Sequence, residues 1–207
     1  LALGIVTAMA IRRLPRPGPL LLFTYQLPVT VPYVVVAVAA LFLLGQSGLL
    51  ARIGAAVGLI QAPADFPALV YDPAGIGIIL VYAWKQTPFV GLIALSVLQA
   101  RGEDYGWVAR SLGARPLQAF FRVQLPLLLP SLMPAAVIIF AYSFGAFEVP
   151  LLLGRRFPAM VSVYAYRLYT DADIGLRPQA MAASLVIGLV SLLLLLAYRR
   201  LAREPEA

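Results

Sequence analysis

The 207-residue chain is 62% hydrophobic and 12% charged, with a mean hydropathy of +0.90. Soluble domains are about 45–50% apolar, so this composition reads as an integral membrane protein. Its formal charge of +7 lies in clusters that flank apolar runs instead of gathering on one polar face, which argues against a nucleic-acid binder, and the absence of cysteine and histidine removes disulfides, thiolate chemistry, histidine proton relays and the usual zinc ligand sets.

The opening apolar run, Leu1–Ile11, is short of the roughly 20 residues a spanning helix needs. No charged region precedes it, so it is a poor signal peptide. It reads as the tail of a truncated first helix, which would make the chain a fragment. Four complete spans are expected, over Pro19–Gly45, Gly75–Ala100, Leu127–Val149 and Gln179–Tyr198. The weaker stretch Leu49–Ile60 is too short and glycine-rich to span and reads as interfacial or re-entrant. The expected fold class is all-α: a polytopic transmembrane helical bundle of about five spans with the first truncated, forming one domain over 1–207.

Arginine placement gives the orientation. Ten arginines (12, 13, 16, 101, 110, 115, 122, 199, 200 and 203) fall in one set of loops, and five (52, 155, 156, 167 and 177) fall in the other. Lys85 is inside a span. The segment after Ala100 and the C-terminus are therefore expected in the cytoplasm, and 150–178 is expected to be an external loop. Prolines and glycines recur within the spans (Pro28, Pro32, Pro88, Pro130, Pro134, Gly145, Gly188). Membrane helices tolerate proline, but broken helices also mark places where transporters hold solute.

The cytoplasmic segment 101–126 carries the most information. Glu103–Leu112 has helical spacing, with Tyr105, Trp107, Val108, Ser111 and Leu112 on one side and Asp104 and Arg110 facing elsewhere. Gly113 suits the residue that closes a helix, and Pro116 suits the first turn of the next. Leu117, Phe120, Phe121 and Leu125 continue an apolar stripe. Such a helix fits a groove on a partner protein or lies against lipid headgroups.

With these residues in view, the chain resembles the permease subunits of binding-protein-dependent ABC importers of the type I fold. That family carries a cytoplasmic signature of Glu-Ala-Ala, a spaced Gly, then Ile-x-Leu-Pro. Here Ala109, Gly113, Val123 and Leu125-Pro126 fall at matching positions, with Trp107 and Val108 replacing the Glu and first Ala. The flanks SLGARP and FFRVQLP, the Pro28/Pro32 and Pro88 spans and FGAFEVPLLLG over 144–154 are of the same style, so the likeness covers nearly the whole chain.

The resemblance implies a second permease subunit, as a homo- or heterodimer, two ABC ATPase subunits on the cytoplasmic side and an extracytoplasmic solute-binding protein. It also implies a bacterial or archaeal cytoplasmic membrane, and no cofactor or catalysis in this subunit, ATP being hydrolysed by its partners. The ATPase-coupling residues would be Glu103, Asp104, Trp107, Val108, Ala109, Gly113, Ala114, Pro116, Val123, Leu125 and Pro126, with Glu103 or Asp104 standing in for the missing acidic residue. In agreement, the sequence has no Gly-rich phosphate loop ending in Lys-Ser/Thr and no plausible triad. FGAFEVPLLLG and the following PAMVSVYAYRLYTD resemble the subgroup that includes polyamine, thiamine, ferric-iron and phosphonate importers, the polyamine-like branch most nearly.

Solute-pathway candidates are Lys85, Gln86, Tyr142, Ser143, Phe144 and Glu148. An ionisable group at mid-span costs roughly 3 kcal/mol or more if left in lipid, so Lys85 is expected to serve the pathway or to join helices. Glu148 could pair with Lys85, Arg155 or Arg156, attract a cation, or be an interfacial carboxylate. Tyr164, Tyr166, Tyr169, Asp171 and Asp173 would face a docked binding protein or, for the tyrosines, form an aromatic belt. An ATP-independent transporter or channel would not need the docking segment and usually carries several buried carboxylates or a histidine. A scaffold without a solute path would not need Lys85, Gln86 or repeated prolines.

Overall fold

The computed structural model describes residues 1–14, 18–101 and 103–203, and gives only the backbone of Arg101, Glu103, Asp104 and residues 201–203. The described secondary structure is helical throughout. In chain order it comprises α1 (Ala2–Arg12), α2 (Pro19–Thr30), α3 (Tyr33–Leu44), α4 (Leu49–Ala56), α5 (Ile76–Arg101), α6 (Glu103–Ser111), α7 (Pro116–Ala119), a π-helical turn (Phe120–Gln124), α8 (Leu125–Gly145), α9 (Glu148–Leu153), α10 (Val161–Thr170) and α11 (Arg177–Arg203), with short 3-10 turns at Pro63–Asp65 and Ile174–Leu176. Among the described residues, four stretches are long and apolar enough to cross a membrane: Tyr33–Ala56, Ile76–Ala100, Pro116–Gly145 and Ile174–Arg200.

The expected second span, Pro19–Gly45, is not one helix. It breaks at Val31-Pro32, between α2 and α3. Proline disfavours helical backbone in the residue before it and has no N–H to continue the ladder. The fourth span also differs from its expected bounds: its helix begins earlier and stops at Gly145. Glu148, expected at the outer end of that span, instead opens α9. Pro150 explains this, because a proline is accepted in the first turn of a new helix but not in the interior of a continuing one. The expected external loop 150–178 contains α10, and the interfacial stretch begins with the short helix α4.

The chain packs as two compact units, Leu1–Thr30 with Trp84–Phe140 and Val31–Ala83 with Ala141–Ala207. In the first, Ile5, Ala8 and Ile11 of α1 meet Val90, Ala94, Leu95 and Leu98 of α5 and Leu128 and Leu132 of α8. The i, i+3 or i+4 spacing on each helix puts these side chains on one stripe. Glycine brings the backbones close, as is usual between membrane helices. A Cβ on Gly4 would lie 2.5 Å from Val90 Cβ, and one on Gly91 would strike the Tyr25 hydroxyl. That hydroxyl is 2.8 Å from Thr7 Oγ1 and donates to Thr87 O at 3.3 Å, tying α2 to α1 and α5.

In the second unit, Val36, Ala37 and Ala40 of α3 pack with Val70, Ile78, Val81, Val149 and Leu153. The segment before α5 is pinned by two backbone bonds, Tyr71 N–H to Leu153 O (2.8 Å) and Gly77 N–H to Leu69 O (2.9 Å). The buried Asp72 carboxylate accepts from the N–H groups of Ala74 (3.0 Å) and Ile76 (2.9 Å), capping the start of α5. α11 packs against α10 and leaves Leu185, Leu189, Leu192 and Leu193 exposed, as suits a lipid-facing helix.

Substituting Gly91→Ala should lower the thermal stability of the detergent-solubilised chain, since overpacking costs about 1–3 kcal/mol. The companion Gly188→Ala, where a Cβ meets nothing within 4 Å, should not. Equal melting temperatures for both variants and the parent would contradict the close approach at Gly91.

Candidate functional site

Lys85 is 4% exposed, and its Nζ donates to the carbonyl oxygen of Pro28 at 2.7 Å. In an unbroken helix that carbonyl would accept the N–H of residue 32, which here is a proline without one. Proline at i+4 therefore frees a carbonyl at the C-terminal end of α2, and an ammonium group is well suited to that negative end of the helix dipole. The same arrangement recurs in the second unit. Pro150 cannot donate to Ala146 O, and that oxygen accepts instead from Ser162 Oγ of α10 at 2.9 Å. Ser162 is also buried.

Of the sequence-derived pathway residues, Lys85 and Gln86 lie in the first unit, and Tyr142, Ser143, Phe144 and Glu148 lie in the second. Gln86, Ser143 and Phe144 are half-buried. Tyr142 joins a tyrosine cluster that sequence reasoning missed: the Tyr33 ring lies 4.9 Å from that of Tyr142 and 5.9 Å from that of Tyr82. The Tyr82 hydroxyl is buried and has no hydrogen-bond partner among the described residues. Glu148, half-buried, occupies the first turn of α9, where the helix N-terminus favours a carboxylate. Nearby, Tyr166 stacks on Phe147 at 4.9 Å and 20°, and the Arg177 guanidinium sits 5.6 Å from the Tyr169 ring. An open groove of about 930 Å³ runs along α10 and α11, lined among others by Phe147, Tyr166, Tyr169, Ser162 and Ser184.

The segment between α5 and α8 folds as a helical hairpin. Gly113 has φ +88, in the left-handed region, and the chain ends α6 with a Schellman pair: Ala114 N–H to Ala109 O (3.0 Å) and Gly113 N–H to Arg110 O (2.9 Å). Pro116 opens α7, and Gln118 Oε1 accepts from Arg115 N–H at 3.0 Å. The π turn follows, with Leu125 N–H bonded to Phe120 O. It lies immediately before Pro126, whose ring crowds the preceding turn and whose missing N–H would interrupt an α-helical ladder. Val123 and Leu125 are half-buried, with Leu125 against the first unit's core, while Pro126 is exposed.

α6 itself has two opposed faces. At about 100° per residue, Tyr105, Val108 and Leu112 share one side and are 55%, 51% and 82% exposed. Gly106, Trp107 and Arg110 share the other. Gly106 is buried beneath the Gln124 amide, and Arg110 donates from Nε to Gly106 O (3.1 Å) with its guanidinium 4.7 Å from the Trp107 ring. Trp107 was expected beside Val108, away from Arg110; the i, i+3 relation places it with Arg110 instead. The side chains of Glu103 and Asp104, expected to supply an acidic contact, lie outside the described residues.

The fold and the hairpin define a polytopic helical membrane protein with a short helix between two of its spans that exposes an apolar face. Residues 1–205 match the family described as binding-protein-dependent transport system inner membrane component, and the chain belongs to that family. It is 33% identical over 121 residues to the molybdenum transport system permease protein ModB of Mycobacterium bovis, covering 58% of this chain and 42% of that protein. It is 35% identical over 83 residues to the maltose/maltodextrin transport system permease protein MalF of Klebsiella aerogenes, covering 39% of this chain and 16% of that one. The chain thus matches less than half the length of either relative. A chain from the crystal structure of a bacterial alginate ABC transporter, in complex with an alginate pentasaccharide-bound periplasmic protein, superposes with a TM-score of 0.77 at 21% identity, covering 97% of this chain and 71% of its own. The expected polyamine-like branch finds no support among these relatives.

Replacing Lys85 by Met should destabilise the detergent-solubilised chain by about 1–3 kcal/mol, the cost of leaving a buried acceptor unpaired. Lys85→Arg, which keeps a cationic donor, should recover part of the loss. A Met variant with the parent's melting temperature would remove the capping role.

Proposed function

We propose that this chain is a permease subunit of an ATP-driven importer. In this reading it passes a small solute, delivered by an extracytoplasmic binding protein, across the cytoplasmic membrane. It pairs with a second permease subunit and receives its driving motion from ATPase subunits docked on α6. The observation that carries the reading is the outward apolar face of α6, Tyr105, Val108 and Leu112, held on a capped hairpin between two membrane spans. Exposed apolar clusters rimmed by polar residues mark protein contact sites, and a short helix filling a partner's groove is a recurrent mode of docking. Family membership supports the reading, as does the likeness to permeases of molybdenum, maltose and alginate systems.

The hairpin is suited to transmitting force. The Schellman cap fixes where α6 ends, the Gln124 amide over Gly106 seats it on the π turn, and the π turn leads directly into α8. A push on α6 would then reach a membrane helix through packed contacts. Along the path we place the tyrosine cluster of Tyr33, Tyr82 and Tyr142, with Glu148 in the same unit. The unpartnered Tyr82 hydroxyl is a polar group suited to a passing solute. Lys85 acts in this scheme through helix α2, as a cap, and not by touching solute.

Val108→Asp/Leu112→Asp should abolish co-purification of an ATP-binding subunit and ATP-dependent uptake in vesicles, while leaving expression and melting temperature near those of the parent. Solute uptake that proceeds without ATP and survives the double substitution would move the assignment to an ATP-independent transporter.

A further inference from the structure

Within the second unit, a cavity of about 800 Å³ opens where the segment before α5 meets the end of α9 and the outer part of α10. Arg156, Arg167 and Asp171 line it with Tyr71, Phe157 and Tyr164, and the rest of its wall is apolar or glycine. The charges of opposite sign in it are not paired with each other. Arg167 gives Nη1 to Arg156 O at 3.0 Å, and Asp171 Oδ1 accepts from Asp173 N–H at 3.0 Å. The Arg156 guanidinium and Asp171 Oδ2 have no partner among the described residues. Glu103 and Asp104, whose side chains are not described, follow the opposite end of α5 from Tyr71, and Glu204 and Glu206 follow the opposite end of α11 from Asp171. Tyr71 has φ +59, a left-handed backbone that a bulky residue adopts only under constraint. Its N–H bond to Leu153 O supplies that constraint. Strain of this kind concentrates where ligands are held, and here it belongs to an exposed ring on the cavity wall.

Tyr71 comes just before the apolar stretch Ile76–Ala100, and Asp171 just before Ile174–Arg200. The cavity therefore sits at the depth where those helices leave the hydrocarbon, a layer that tyrosine and arginine side chains favour. Its volume is that of a small-ligand pocket. We propose that it holds the headgroup of a zwitterionic phospholipid bearing a primary ammonium, phosphatidylethanolamine. The phosphate meets the Arg156 guanidinium, whose forked donors match phosphate oxygens. The ammonium donates to Asp171, and the apolar wall receives the glycerol end. A purely anionic headgroup would be repelled by Asp171, and a quaternary ammonium has no N–H to give it. The bound lipid would tie the segment before α5 to α10. The proposal is independent of the importer reading, since it needs only the membrane placement of α5 and α11.

The test is native mass spectrometry of the full chain in mild detergent, with phosphatidylethanolamine, phosphatidylcholine or phosphatidylglycerol of the same acyl chains added. One phosphatidylethanolamine should stay bound under activation that removes the other two. Arg156→Gln should weaken that retention about fivefold. Asp171→Asn, which keeps the oxygen that accepts from Asp173, should bring phosphatidylethanolamine down to the level of phosphatidylcholine. Arg155→Gln, a charge-matched change outside the cavity lining, should retain it fully. Retention of phosphatidylethanolamine unchanged in both cavity variants would overturn the proposal. Equal retention of the three lipids would overturn it too, and would leave the cavity to a protein contact. Displacement of the lipid by millimolar glycerophosphoethanolamine would also overturn it, by assigning the cavity to a soluble zwitterion.

Discussion

A buried backbone carbonyl or N–H that loses its helical partner must find another, and the buried polar side chains of this protein supply one. The buried polar or charged residues among those described are Asp72, Lys85 and Ser162. Each satisfies backbone groups at a helix end. Lys85 covers the Pro28 carbonyl that Pro32 cannot reach, Ser162 covers the Ala146 carbonyl that Pro150 cannot reach, and Asp72 covers the first N–H groups of α5. Lys85 and Ser162 make two helix interruptions tolerable, and Asp72 caps a helix start. A lysine at mid-span, which would be expensive in lipid, is therefore explained by a local backbone need.

Much of this was legible in the sequence because it is local. Apolar runs of sufficient length predicted the long helices at Ile76–Arg101 and Arg177–Arg203, and Gly113 and Pro116 announced the end of one helix and the start of the next. Pro32 is legible as a proline within a span, but hydropathy is continuous across Val31-Pro32 and does not show that the helix ends there. A proline at i+4 signals the orphaned carbonyl, but its partner Lys85 is far away in sequence. Ser162 carried no signal of its own for the same reason. The π turn was equally hidden, since Phe120–Gln124 looks like ordinary amphipathic helix until the demands of Pro126 are added. Trp107 was misplaced because its chemistry, like that of Val108, suggests an apolar stripe, whereas the helical angle pairs it with Arg110.

The hairpin shows how a short element can serve two surroundings. One face of α6 is seated through Gly106 beneath the Gln124 amide, with the exposed Trp107–Arg110 pair beside it, and the other leaves Tyr105, Val108 and Leu112 bare. Family membership does not select a solute, because the relatives named for molybdenum and for maltose share little chemistry.

The proposed docking depends most directly on the two-faced character of α6. Because the chain contains no cysteine, single substitutions Tyr105→Cys, Val108→Cys, Leu112→Cys, Gly106→Cys and Arg110→Cys can each be labelled with a maleimide–benzophenone and tested for photocrosslinking, by C–H insertion, to a co-purified ATP-binding subunit. Crosslinks confined to positions 105, 108 and 112 are the predicted result. Crosslinks at 106 and 110, or none at any position on α6, would contradict it.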